Sequence, residues 1–362
     1  MNFSTKKIIL FVSPIALMAL IFSVFFYSAS SSSTLSDLTT EPLPSHLESI
    51  IDNSHPQKNR KTLLETNSIK DPIQPIPEQL ELNLQKTALG EKLFNDINLS
   101  ANSTISCASC HNLSKGGADN TPTSIGIHGQ QGIINAPTVY NAGFNFAQTW
   151  NGQTQSLNEH ILLPLFNPIE MGNTDWLKIL EYLNGSTEYQ TLFENLYMTL
   201  PITKDNMIDA IVEFERSLIT PNSRFDRYLK GDSQALNALE LEGYQLFKDR
   251  GCISCHHGVN MGGNMFQKAG IFIPIFREDE NDWNGRFNIT GNPSDKGLFK
   301  VPTLRNIALT APYFHDGSAK DLTEAINIMA KHQLGITLAE TENNKIKAFL
   351  ESLTGQYKGL QL

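Results

Sequence analysis

Residues 107–111 read CASCH and residues 252–256 read CISCH. Each motif holds two cysteines two residues apart with a histidine directly after the second. Together they consume all four cysteines of the chain: Cys107, Cys110, Cys252 and Cys255. Two disulfides or a four-ligand zinc site would also use four cysteines. Neither explains the two histidines. C-x-x-C-H is the attachment sequence of c-type haem, in which the cysteines form thioethers to the vinyl groups and the histidine meets the iron. Two covalently bound haem c groups are therefore expected, with His111 and His256 as the proximal ligands.

The motifs sit in a duplicated setting. Gly90-Glu-Lys-Leu93-Phe94 precedes the first and Gly243-Tyr-Gln-Leu246-Phe247 the second, so a helix with a G-x-x-L-F face leads into each site. For the second of these helices Asp232 or Ser233 is the expected N-cap and Gly251 the stop. Between the units, Ile208, Ile211, Val212, Glu215 and Leu218 recur at helical spacing behind Asp205 as cap. A last helix carries Ile346, Phe349, Leu350 and Leu353 inward, with Gly355 after it. Strand signals are few. The expected fold is mainly α, with two cytochrome c-like domains, each wrapped around one haem and joined near Thr220 to Phe225. The first domain is placed at 78–222, completed by the C-terminal helix at 338–355, and the second at 223–337.

A chain of 362 residues has room for two such domains and a targeting segment. Hydrophobic residues at 40% and charged residues at 18% are ordinary for a soluble globular protein. The net charge of −9 excludes nucleic acid as a favoured partner, because phosphate binding needs clustered Lys and Arg. A basic protein partner fits better. Lys6 and Lys7 precede an apolar run over residues 8–27, followed by the serine tract Ser28 to Ser33. That pattern is an export signal within 1–29. Its apolar run reaches the roughly 20 residues that span a bilayer, so a cleaved signal peptide and a retained anchor both fit. In either case the rest of the chain lies outside the cytoplasm, in the periplasm. Residues 30–77, rich in Ser, Thr, Pro and Asn, read as a flexible tether, with His46 and His55 solvated.

The sixth iron ligand separates electron transfer from catalysis. Met261 and Met265 follow His256 too closely to reach the opposite haem face, whereas Met329 has the chain length to do so. On its own, Met329 is equally a core residue of the helix holding Ala325, Ile326 and Ile328. For the first haem, His128 lies in a Gly126-Ile-His-Gly129 loop where glycines permit close backbone approach. His160 and His315 are further candidates, each set against the ordinary role of a hydrogen-bonded histidine.

With these residues in place, the chain resembles the bacterial dihaem cytochrome c peroxidases, with the methylamine-utilisation maturation enzymes as a side branch. The likeness runs from about Leu89 to Gly355 and is carried by LGEKLFND, ISCASCHNL, NAPTVYNAGFNFAQTWNG, NPIEMG, ITPNSRFDRYLKGD, LFKDRGCISCHHGVNMGG and VPTLRNIALTAPYFHDG. The resemblance implies a low-potential peroxidatic haem on the first motif and a high-potential, electron-accepting haem on the second. Met329 follows His315 at the spacing of the peroxidases' axial methionine; the maturation enzymes carry tyrosine there. Glu170 in NPIEM matches the acid/base glutamate, and Trp150 the tryptophan between the haems. Asn135, Thr310 and Pro312 match a calcium site of one side-chain oxygen and two carbonyls. The acidic stretch Glu278-Asp279-Glu280 is assigned to solvent. His128 stands one position later than the displaceable distal histidine of the family, and His160 stands where glutamine is common.

The implied activity is reduction of hydrogen peroxide to water with electrons from a reduced small cytochrome c or cupredoxin, by a homodimer. Electrons would enter at the haem on His256 and Met329, and peroxide would replace His128 at the haem on His111. A maturase-like oxidase acting on a protein side chain and a non-catalytic dihaem electron carrier are the alternatives. Sustained peroxide-dependent oxidation of cytochrome c separates them.

Overall fold

Each of the two G-x-x-L-F helices starts on a side-chain cap and is held in place by a second helix laid across its glycine. The structure is a computed structural model that describes residues 71–275 and 284–362. The export segment, the tether up to residue 70, His46, His55 and Glu278-Asp279-Glu280 lie outside the described residues. Five helices frame the fold: α1 (Leu84–Phe94), α2 (Lys204–Ser217), α3 (Ala238–Asp249), α4 (Leu322–Ile328) and α5 (Glu340–Glu351). Asn83 caps α1 by accepting from Lys86 N, and Thr203 caps α2 by accepting from Asn206 N. Asp205, the cap expected from the sequence, lies in the first turn of α2, where its charge suits the helix dipole. Asn237, not Asp232 or Ser233, caps α3, in a reciprocal capping box with Glu240.

α1 packs on α2, and α3 packs on α5. At the first crossing a Cβ on Gly90 would overlap the Ala210 carbonyl and Phe214 Cβ; at the second a Cβ on Gly243 would overlap the Lys345 carbonyl and Phe349 Cβ. Four residues separate carbonyl from phenylalanine in both. The phenylalanines of the G-x-x-L-F faces then meet these partners, Phe94 on Phe214 and Phe247 on Phe349, each with ring centroids 5.2 Å apart. One device has been used twice.

This geometry corrects one boundary. The C-terminal helix does not complete the first domain: α5 lies against α3, and Ile346, Phe349, Leu350 and Leu353 join a core with Phe225, Tyr244 and Phe247. The reason is the glycine crossing, which pairs α5 with α3 as α2 pairs with α1. The segment that does return to the first half is the terminal hairpin, Gln356–Tyr357 paired with Leu360–Gln361. It sets the Tyr357 ring 5.2 Å from Tyr140. Leu93, Ile179, Leu183, Phe193, Met207 and Ile211 form the other large core.

A second correction concerns the end of the tether. Residues 71–77 pack into the α3/α5 half: Ile73 and Ile76 are buried, Gly258 N donates to Pro72 O at 2.9 Å, and Tyr244 Oη donates to Asp71. A fully buried ion pair fixes this segment, with Arg305 Nη1 2.8 Å from Asp226 Oδ1 and Arg305 Nη2 donating to Gln74 O at 2.8 Å. Its two isoleucines contribute apolar area that a Pro-rich composition conceals. Strand structure is slight; β1 (Phe266–Lys268) pairs antiparallel with β2 (Leu298–Lys300), placing Phe266 opposite Lys300.

Gly90→Ala and Gly243→Ala should each destabilise the holoprotein by about 1–3 kcal/mol through overpacking at a helix crossing. Gly185→Ala, whose Cβ would meet nothing within 4 Å, should be neutral or slightly stabilising. Denaturant unfolding midpoints of the three variants check this.

Candidate functional site

α3 runs out at Gly251, which takes a left-handed conformation with φ 86° and turns the chain directly into Cys252. Cys252–Ser254 form one tight turn, and His256 follows with its amide donating to Cys252 O at 3.1 Å. His256 Nδ1 lies 3.2 Å from Met261 O. Donation of the Nδ1 proton to that carbonyl fixes the tautomer and leaves the Nε2 lone pair for a metal. Burial is the largest influence on this ring and pushes its pKa down to about 4, so it is neutral at pH 7.

His256, Cys252 and Cys255 line a mostly apolar cavity of about 270 Å³ that Met329 also lines. Met329 ends α4 and begins a five-residue π-helical stretch, Met329–Gln333, a widened turn of the kind found at functional sites. The structure therefore sets a thioether and a neutral imidazole on one apolar space. Trp150, His315, Asn135, Thr310 and Pro312 line the same cavity. Trp150 Nε1 donates to Asn135 O at 2.9 Å and Asn135 N donates to His315 O at 2.8 Å. The His315 ring packs edgewise on Trp150 at 6.3 Å and against Phe299 at 4.7 Å. Asn135 Nδ2 is committed to Thr121 O at 2.8 Å, so its side-chain oxygen is the end available to a cation.

At the first motif, Ser106 opens the Cys107–Cys110 turn; its amide donates to Ser109 Oγ at 2.9 Å, and His111 N donates to Cys107 O at 2.9 Å. Burial lowers the pKa of the His111 ring, and the backbone of Gly117 and Pro137 and the Asp119 carboxylate oppose that shift. His160 ends the short helix Leu157–His160 and is half-buried, close enough to His111 for the two to interact electrostatically. Burial first, then His111 and Lys300, push it down to about 4. Its Nδ1 also lacks a partner. Glu170 is near enough to act electrostatically on the Cys110 thiol, and Asn167 Nδ2 donates to Glu170 Oε1 at 2.6 Å. Burial raises the Glu170 pKa, and the Asn167 donor opposes that shift.

The loop holding His128 is clamped to the Glu170 loop. Ile127 N donates to Glu170 O at 2.9 Å, and a Cβ on Gly126 would overlap Ile169 O. Gly126 thus serves a loop-to-loop approach. His128 takes a left-handed φ of 56° and is exposed, alone among the expected iron ligands. All four cysteine thiols are free. Among the described residues no group of three or more His, Cys, Asp or Glu side chains is arranged to hold a metal ion.

Two buried ionisable groups went unassigned in the sequence. Glu215 lies on α2 beside Cys107, with Oε2 buried and without a partner, and burial raises its pKa to about 8. Its signal was a carboxylate on the apolar face of α2. Lys300 lies at the end of β2 and is buried at 6% exposure. A lysine inside the run Leu298-Phe299-Lys300-Val301 was the corresponding signal.

Residues 84–234 match the family described as di-haem cytochrome c peroxidase. The chain is 47% identical over 293 residues to the cytochrome c551 peroxidase of Nitrosomonas europaea, covering 81% of this chain and 86% of that protein. It is 46% identical over 288 residues to the cytochrome c peroxidase Ccp of Escherichia coli, covering 79% of this chain and 62% of that protein. Among solved structures it is similar to a MauG-like protein associated with microbial copper homeostasis. That likeness has a TM-score of 0.70 and 31% identity and covers 80% of this chain and 94% of the other.

Replacing Asn167 by Ala should move the titration of Glu170 to higher pH, because the lost amide donor favours the carboxylate. The carboxyl stretch in infrared difference spectra, identified with Glu170→Gln, measures the shift.

Proposed function

The chain belongs to the di-haem cytochrome c peroxidase family, and from that membership we propose how its two C-x-x-C-H sites divide the reduction of hydrogen peroxide. It is a cytochrome c peroxidase, an enzyme that takes two electrons from reduced cytochrome c and two protons to turn one peroxide into two waters. The observation that carries this is 47% identity across 86% of a cytochrome c551 peroxidase, together with both cysteine motifs. The residues fit a covalent haem c at each site. His256, its Nδ1 turned to Met261 O, lines an apolar cavity that Met329 also lines, and His111 is an imidazole whose pKa burial lowers.

When bound, the haems supply the iron redox chemistry and the peroxide-binding position. The protein's own groups do the rest. His256 and Met329 hold the electron-accepting side; a neutral imidazole and a thioether favour the reduced iron and a high potential. Trp150 lines that cavity and is tied through Asn135 to the chain leading back toward the first motif, which suits a path between the sites. At the first site Glu170 takes a proton from the nearer peroxide oxygen and returns it to the farther one. Its raised pKa brings the carboxyl toward the pH at which both transfers are feasible. His160 is a second proton-active ring on that side, in place of an amide. His128, on an exposed left-handed loop clamped to the Glu170 loop, would be the residue that yields its place to peroxide. Asn135, Thr310 and Pro312, which line one cavity, would hold a calcium ion, a hard cation that takes oxygen ligands.

The domains divide as one haem unit per glycine-crossed helix pair, α1 with α2 and α3 with α5. The donor is a small reduced cytochrome c or cupredoxin, to whose basic face a chain of net charge −9 is complementary. Lys6, Lys7 and the apolar run over 8–27 support export to the periplasm, with or without a retained anchor, where the enzyme works as a homodimer.

Steady-state oxidation of reduced cytochrome c on adding peroxide tests the activity, and a single stoichiometric oxidation without turnover would leave only a carrier. Glu170→Gln should lose about 10²–10⁴-fold in turnover with both haem spectra unchanged; a rate within about twofold of wild type removes Glu170 from the proton transfers. Met329→His should lower the midpoint of one haem, because imidazole favours ferrous iron less than a thioether does. A redox titration with both midpoints unmoved would exclude Met329 as a ligand.

A further inference from the structure

Lys300 lies between the two sites. Its backbone amide donates to Trp150 O at 2.8 Å, it lines the cavity that holds His256 and Met329, and its charge acts on His160 beside His111. It is 6% exposed, and no carboxylate of the described residues lies within the 4 Å of its Nζ that an ion pair requires. A lysine in this state is unusual. Lysine is almost never fully buried unless paired, and an unpaired buried charge costs several kcal/mol. Arg305, the other deeply buried cation, has Asp226 as its partner. The geometry points to an anion that the described residues do not supply, and a c-type haem brings two carboxylates with it.

We propose that Lys300 is the counter-ion of a haem propionate, seated at the junction so that it holds one cofactor's carboxylate in an otherwise apolar space and raises that haem's potential. This rests on the proposed haem sites. Burial brings the lysine down to about 8, so it still carries its charge at pH 7, and a carboxylate partner would only strengthen that state. A positive charge near the porphyrin favours the ferrous over the ferric form. Two sources share this chemistry, a propionate of the haem on His256, whose cavity Lys300 lines, and one of the haem on His111, toward which its field extends. Lys300 is a positioning residue on either account. It touches no iron.

The holoprotein tests this. Haem content, by the alkaline pyridine absorbance of c-type haem, is measured first: wild-type protein without two covalent haems defeats the haem reading itself. With two haems present, Lys300→Met should lower the midpoint of one haem while the ligand-sensitive bands of both stay at their wild-type positions. The haem that moves identifies the source of the carboxylate, and Lys300→Arg should restore most of the shift. Both midpoints unchanged in a fully loaded Lys300→Met protein would overturn the assignment and leave the haem reading intact. Should Lys300→Met fail to load, Lys300→Gln gives the same reading with a neutral hydrogen-bonding side chain. Independently of any variant, the propionate-bending Raman bands of the wild type must shift on exchange into D2O, since an N–H donor is in contact; bands unmoved in both haems also overturn it.

Discussion

The two close helix crossings, Gly90 against the Ala210 carbonyl and Gly243 against the Lys345 carbonyl, set the positions from which everything else follows. Without a Cβ the helices approach until Phe94 meets Phe214 and Phe247 meets Phe349, and the chain leaves each first helix along a fixed direction. A C-x-x-C-H turn lies downstream of both. Where α3 ends at the left-handed Gly251, the second motif begins at the next residue, so the crossing and the site are one rigid piece. The same pairing explains why α5, the last helix, is a component of the second half, while the terminal hairpin after it returns to the first.

Burial then decides the protonation states. His256, His111 and His160 are kept neutral chiefly because a charged imidazole cannot be solvated in these places, and a neutral ring is the form that binds metal or accepts a proton. Carboxyls respond in the opposite sense: burial raises both Glu170 and Glu215, and only Glu170 has a donor, Asn167, to moderate the effect. Lys300 is a buried cation in the region, and the mostly apolar lining around it screens its charge little.

The junction between the sites is built from backbone as much as from side chains. Trp150 is fixed through its indole N–H to Asn135 O and through its own carbonyl to Lys300 N, and Asn135 is fixed in turn to His315 O. Three separate stretches of sequence are thereby locked around one aromatic ring. A change at any of them acts on a ring that lines the second motif's cavity.

The sequence by itself determined the chemistry and the repeat. Four cysteines with two trailing histidines admit few cofactors, and G-x-x-L-F written twice marks a duplicated helix, because such signals are local and need only the neighbouring residues to be read. Family likeness carried the activity. Tertiary structure alone decided that Asn237 rather than Asp232 or Ser233 caps α3, that residues 71–77 are packed through Ile73 and Ile76, and that α5 belongs with α3. It also decided that Glu215 and Lys300 are buried at the sites and that His128 is exposed. Each of these depends on contacts between residues far apart in the chain. Periodicity reports which face of a helix is apolar, but the partner that covers the face, and the charge trapped beneath it, are fixed only when the helices cross.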